Sequence, residues 1–346
     1  MAAMNDERSA VARDVRRQAN GCARLGSPLY AGLLARVAVD VESGGPCWRI
    51  LSAFAGWPLD SAYALRMMGA VHRLVLTGEA PALAPHFVPG GDAEAAWPAF
   101  AALIEDRGDA LRALARANAV QTNEVGRCAA LAPAMLWSSR GMPLRMLELG
   151  ASAGLNLRWD AYRYEDAWGD RSSPVQLVRR YAGARPPFEP PSLQILERRG
   201  CDVAPVDPTS AEGRLTLRSF VWPDQAERMR LLDGALAIAS RVPAVVERAP
   251  AADWTGAQLA EPADPGTATI VFHSIVWQYL DDTERSRVRA AIEDAGARAS
   301  AATPLAWLRM EADGPDTRLD VTVWPGATTR VLGRAGFHGR PVTWLA

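Results

Sequence analysis

The sequence predicts an α/β protein: a mostly parallel sheet, one antiparallel strand near the C-terminus, and an all-helical N-terminal domain. Three observations predict it. Apolar residues keep a helical spacing from about residue 7 to 140. From 144 onward, short β-rich runs alternate with helical ones. A glycine-rich turn, Gly150-Ala151-Ser152-Ala153-Gly154, closes the first of those runs.

The helical part is punctuated as helices require. Ser27 before Pro28 reads as a cap with proline at the first helical position, opening SPLYAGLLARVAVDVE, which stops at Gly44-Gly45. Asp60 and Ser61 are placed to cap YALRMMGAVHRLVL, which ends at Thr77-Gly78. WPAFAALIEDR is expected to end at Gly108, with Asp109 capping a further helix, LRALARANAV. His72 lies on an apolar face and reads as a structural histidine. The division into domains is expected at 128/129.

The strands are expected in PLRMLELG, VAPVD, PAVVERA, TATIVFHSI and PLAWLRME. LDVTVWP and RPVTWL follow, separated by a short helical piece, TTRVLGRAGF. An insertion at about 160–200 reads as a hairpin, YRYEDAWGDRSSPVQLVRRY, followed by an extended linker, RPPFEPPS.

Composition removes several function classes. All 38 basic residues are arginine, against 39 acidic ones, for a net charge of −1. Without lysine there is no phosphate-loop lysine, no kinase strand lysine and no Schiff base. Dispersed arginine leaves no electrostatic footprint for nucleic acid. Cys22, Cys47, Cys128 and Cys201 are far apart, so neither a metal site nor a disulfide framework is expected. The charged N-terminus is unlike a signal peptide and no apolar run reaches the ~18 residues of a membrane span, which predicts a cytoplasmic protein with no membrane partner.

The segment Leu147–Asn156 (LELGASAGLN) fits three chemistries. As a dinucleotide turn it lacks two glycines of G-x-G-x-x-G. As a nucleophile elbow, G-x-S-x-G, it would make Ser152 a hydrolase nucleophile, with His338 in the right chain order. It also resembles the first motif of class I S-adenosylmethionine-dependent methyltransferases, with Glu148, Gly150 and Gly154 in place and Ser152 at the middle glycine.

That resemblance implies a Rossmann-like methyltransferase sheet and S-adenosylmethionine as cofactor. Its contacts would be Glu148, Gly150, Ala151, Ser152 and Gly154 in the turn, then Asp207 (or Asp202) at the second strand end. Asp253 and Trp254 would follow the third strand and Ser274 the fourth. Nearly the whole chain also resembles a bacterial family known as domain of unknown function 2332. The resemblance rests on VQTNEVGR, LELGASAGLN, RGCDVAPVD, SFVWPDQAERMRLLDGAL, VFHSIVWQYL and LRMEA.

Methyl transfer asks the protein for positioning and, for a protonated acceptor, a base. His273 at the fourth strand end would be that base, Glu311 at the fifth strand end would hold a basic or hydroxylated substrate, and Tyr279 would orient the acceptor by hydrogen bonds. Asn123, Glu124, Arg127, Asn156, Gln278 and Arg309 are the expected substrate contacts, around a small molecule enclosed between helical cap and α/β domain. Two alternatives stand beside this: the same fold without methyl transfer, as a small-molecule binder or an enzyme of another displacement, and a hydrolase using Ser152.

Overall fold

The computed structural model describes residues 2–58, 61–189 and 193–346. It divides into two compact units: 1–122 with 210–229, and 123–209 with 230–346. The division thus falls at 122/123 rather than 128/129, and the first unit also takes a segment from the middle of the chain.

The first unit holds α1 (Ala2–Arg24), α2 (Pro28–Ser43), α3 (Pro46–Leu51), α4 (Tyr63–Leu76) and α5 (Ala93–Ala117). In α2 the Ser27 hydroxyl accepts the Tyr30 N–H at 3.3 Å, Pro28 fills the first helical position, and Gly44 stops the helix at φ 77°. Leu29, Leu33, Leu34, Val37 and Val41 recur at helical spacing and are fully buried. Capping of α4 differs from expectation. Asp60 lies outside the described residues, Ser61 has a buried hydroxyl without a partner, and Ala62 precedes the helix with no side-chain cap.

Nor does a helix end at Gly108: α5 runs through with a kink at Arg107. Phe100, Ile104, Leu111 and Ala115 keep one buried stripe across the kink, so packing overrides the local stop signal.

α7 (Ala211–Ser219) and the start of α8 (Ala226–Ala239) belong to this unit by their contacts. The Asp224 carboxylate accepts from the Ser27 hydroxyl at 2.7 Å and the Leu29 N–H at 3.0 Å. His72 is 3% exposed and bonds the Ser219 carbonyl at 3.2 Å. Burial lowers its pKa to about 4, so it is a neutral structural histidine.

The second unit opens with α6 (Cys128–Ser139), buried nearly all round. It then forms an eight-stranded sheet of β1 (Leu144–Leu149), β4 (Ile195–Asp202), β5 (Val245–Arg248), β6 (Ala268–Ser274), β7 (Leu305–Asp313), β8 (Asp316–Trp324), β9 (Thr328–Ala335) and β10 (Val342–Trp344). Their order is β10-β9-β8-β7-β6-β1-β4-β5. β5, β4, β1, β6 and β7 are mutually parallel, so that half reads 3-2-1-4-5 in chain order. The crossovers carry α9 (Ala251–Leu259) before β6 and α10 (Asp282–Arg298) before β7. These helices bury Trp254, Leu259, Val288 and Ile292 with Leu147, Val271 and Leu305 of the sheet.

Four expectations change here. The second strand is β4, ending at Asp202, and VAPVD is the loop after it. The short strands β2 (Arg163–Tyr164) and β3 (Gln176–Leu177) pair in parallel, so the insertion is not a hairpin. Tyr162 and Tyr164 are buried and donate to the Leu155 and Trp159 carbonyls at 2.6 and 2.7 Å, tying the segment back to the turn before it. Of the linker RPPFEPPS, residues 190–192 lie outside the described residues. TTRVLGRA is strand β9, not helix, its β-branched residues pairing along β8. The C-terminal part is therefore a meander with three antiparallel pairings rather than one antiparallel strand.

Candidate functional site

Strand order reverses around β1, which has β4 on one side and β6 on the other. Ligands of open α/β sheets bind outside the carboxyl ends of the strands at such a point. The turn Gly150–Gly154 occupies it. Gly150 has φ 64°, and a Cβ there would lie 2.4 Å from Val276; Gly154 has φ 65° and a Cβ would meet Val246 at 2.9 Å. Ser152, between them, is held at φ 53°, a conformation serine adopts only under constraint.

No α-helix follows this turn. Asn156–Ala161 is a six-residue 3-10 helix with a kink at Arg158. Three amides of the turn are consumed within the chain. Ala151 N–H donates to Cys201 O at 2.9 Å, Ser152 N–H to the Asp202 carboxylate at 2.9 Å, and Gly154 N–H to Ala151 O at 2.7 Å. Leu155 N–H donates to the Asn123 side chain at 2.8 Å.

A buried polar cluster backs the turn. Glu148 is 2% exposed, and burial holds its carboxyl well above the usual range. One of its oxygens faces the Asn156 amide at 3.5 Å; the other has no partner. Asn156 in turn accepts from the Cys128 thiol at 3.2 Å. Arg127 donates to the Ser274 carbonyl and hydroxyl at 3.0 and 3.3 Å and to the Phe337 carbonyl at 3.0 Å, while Glu124 accepts the Gly126 N–H at 3.1 Å. Asn123 and Arg127 thus staple the turn after β1 and the end of β6.

The other expected cofactor contacts are not gathered here. Asp207 is exposed and turns back onto Thr209 at 2.8 Å. Asp253 is exposed and paired with Arg287. Trp254 is buried in the core beneath the sheet and donates to Glu247 at 3.0 Å. S-adenosylmethionine needs donors for its carboxylate and acceptors for its ribose and adenine. The Ala151, Ser152 and Gly154 amides of this turn are already engaged, and Asp202, the strand-end carboxylate, is spent on the turn itself. As they stand, these residues do not fit that cofactor.

A separate cleft of about 700 Å³ lies over β6, β7 and β8 and is also lined by α10. It gathers His273, Glu311 and Arg309 from the expected set. His273 is completely buried; its Nε2 lies 3.1 Å from the Trp307 indole N–H and its Nδ1 2.6 Å from Glu311. Indole only donates, so Nε2 must accept and Nδ1 carries the proton, donated to Glu311. Both ring nitrogens are thereby engaged, and His273 is not poised as a free base. Glu311 also accepts the Val276 and Trp277 N–H groups at 3.1 and 3.3 Å, fixing the turn after β6 in which Ile275 has φ 55°.

Trp277 stacks on His273, with ring centres 5.1 Å apart. The Arg309 guanidinium lies 4.4 Å over Trp307, pairs with Asp320, and donates to Thr322 at 3.0 Å. Gln278 and Tyr279 are exposed and do not line the cleft.

Sequence reasoning missed Trp307, Arg318, Asp320, Thr322 and Trp324 as cleft residues. Their signal is a period of two: Trp307, Arg309, Glu311 on β7, and Arg318, Asp320, Thr322, Trp324 on β8. Polar groups alternating inside otherwise apolar strands lie on one face.

Residues 12–344 match the family model described as "Uncharacterized protein conserved in bacteria (DUF2332)". The chain belongs to that family. Among curated proteins none matches. Of solved structures, the chain is similar to DesVI of Streptomyces venezuelae at 12% identity, over 61% of this chain and 74% of that one. The TM-score is 0.24, a likeness too slight to carry an argument. No helix among the described residues is long and apolar enough to cross a membrane, and none of their His, Cys, Asp and Glu side chains cluster to hold a metal ion.

Proposed function

We propose that this family member acts on a small molecule held in the cleft over β6–β8, in a Rossmann-like α/β unit. One observation carries the reading. Three residues singled out for chemistry in the sequence, His273, Glu311 and Arg309, line one cleft of about 700 Å³, a volume suited to a small ligand. Trp307 and Glu311 lock the His273 tautomer, giving the wall a fixed pattern of donors and acceptors.

Methyl transfer from S-adenosylmethionine is a second reading. The strand order, the Glu148-x-Gly150 turn at the switch point and the unpaired oxygen of Glu148 favour it. The engaged amides of Ala151, Ser152 and Gly154 oppose it. Calorimetric titration with S-adenosylmethionine and S-adenosylhomocysteine tests it: heat at micromolar to millimolar ligand supports methyl transfer, and silence with both removes it. Covalent labelling of Ser152 by a fluorophosphonate would point instead to the hydrolase reading.

A further inference from the structure

The hydrogen-bond bookkeeping of the cleft is lopsided. Its carboxylate acceptors on β7 and β8 are spent. Asp320 has one oxygen on Arg309 and the other on the Nε of Arg318 at 2.9 Å. Glu311 accepts three N–H groups, and Asp313 takes Arg334 at 2.6 Å. Its donors are not spent. Arg309 uses Nε and Nη2, and Arg318 uses Nε alone, which leaves Nη1 of Arg309 and both terminal nitrogens of Arg318 without acceptors among the described residues. On α10 the cleft carries one exposed acid and one exposed base, Glu293 and Arg289, which leave no net charge on that wall.

The guanidinium groups stand beside tryptophan. Trp277 is half-buried and stiffened by its stack on His273, and Trp307 lies under Arg309. Planar donors of this kind take a carboxylate in a fork, and a flat indole wall takes an aromatic ring.

We propose that the cleft binds a small aromatic carboxylate, its acid group on Arg318 and Arg309 and its ring against Trp277. This replaces the sequence-based expectation of a basic or hydroxylated substrate at Glu311, whose oxygens are already engaged. It rests on the reading that the cleft is the substrate site.

The test uses benzoate, benzylamine and neutral benzyl alcohol with the full chain, followed by calorimetry and by the indole N–H resonances of Trp277, Trp307 and Trp324. Benzoate is expected to bind and shift those resonances, at least tenfold more tightly than benzylamine. Arg318→Gln, at a half-exposed side chain, is expected to weaken benzoate at least tenfold with an unchanged spectrum elsewhere. If benzylamine or benzyl alcohol shifts the same indoles as well as benzoate does, the anionic preference is wrong while the cleft remains a substrate site. Benzoate binding indifferent to Arg318→Gln also overturns the proposal. If none of the three shifts those indoles, both the proposal and the cleft as substrate site fall.

Discussion

Replacing Glu311 with alanine takes the acceptor from three N–H groups at once, and they are not equivalent. The His273 Nδ1–H is completely buried, so no water can replace the lost oxygen, and a buried donor left bare costs about 1–3 kcal/mol. The Val276 and Trp277 amides belong to half-buried residues, where water can reach them, and each should cost about 0.5 kcal/mol. The total comes to about 3 kcal/mol, of which about 2 belong to the His273 contact. A double-mutant cycle with His273→Phe isolates that part, read from urea unfolding of the four proteins. Glu311→Ala should be milder by about 2 kcal/mol in the His273→Phe background. A coupling below about 0.5 kcal/mol would sink the assignment of a buried Nδ1–H bond, and with it the fixed tautomer.

The remaining predictions concern other parts of the chain. His72 has a folded pKa of about 4, below its value of about 6.5 in an unfolded chain, so the unfolded state takes the proton first as pH falls. Its contribution is complete above about pH 6.5 and is lost down to pH 4; between pH 7 and 5 the wild type should lose about 2 kcal/mol that a His72→Gln variant does not. Gly150→Ala should destabilise by about 2–3 kcal/mol, combining a left-handed backbone with a Cβ driven against Val276, and Val276→Ala should return part of it in a thermal melt. Asp202→Ala removes the acceptor of the Ser152 and Ala204 amides and should cost about 1–2 kcal/mol, with faster hydrogen exchange at Ser152 as the direct readout.

Much of the architecture was legible in the sequence. Alternating strand and helix runs located six of the eight strands of the sheet, and the Ser27-Pro28 cap and the Gly44 stop framed α2. The failures share a cause: local signals were overridden by packing. Gly108 reads as a helix end until the buried stripe of α5 is traced across it. TTRVLGRA has a helical look until Thr322 and Thr329 meet at 2.9 Å across β8 and β9. The site was less legible. Glu148 and Gly150 could be placed at the end of β1, but nothing in the chain announced that the Ala151, Ser152 and Gly154 amides would be taken up by the protein itself. Asp207 and Asp253 stand out only by their order along the chain, which does not say whether a carboxylate faces a ligand or an arginine. The cleft became visible only when strand register set Arg309 opposite Asp320.

The sheet also carries an order of assembly. Asp313 pairs with Asp316 across a tight turn, and β8, β9 and β10 follow by similarly short returns, so this edge closes with little loop entropy. Leu149 must wait for Cys201 on one side and His273 on the other, partners far along the chain. During refolding, amide protons of β7 and β8 should therefore become protected before those of β1. The tryptophan–arginine wall would then be built first, and the glycine turn would set last, against a half-sheet already in place.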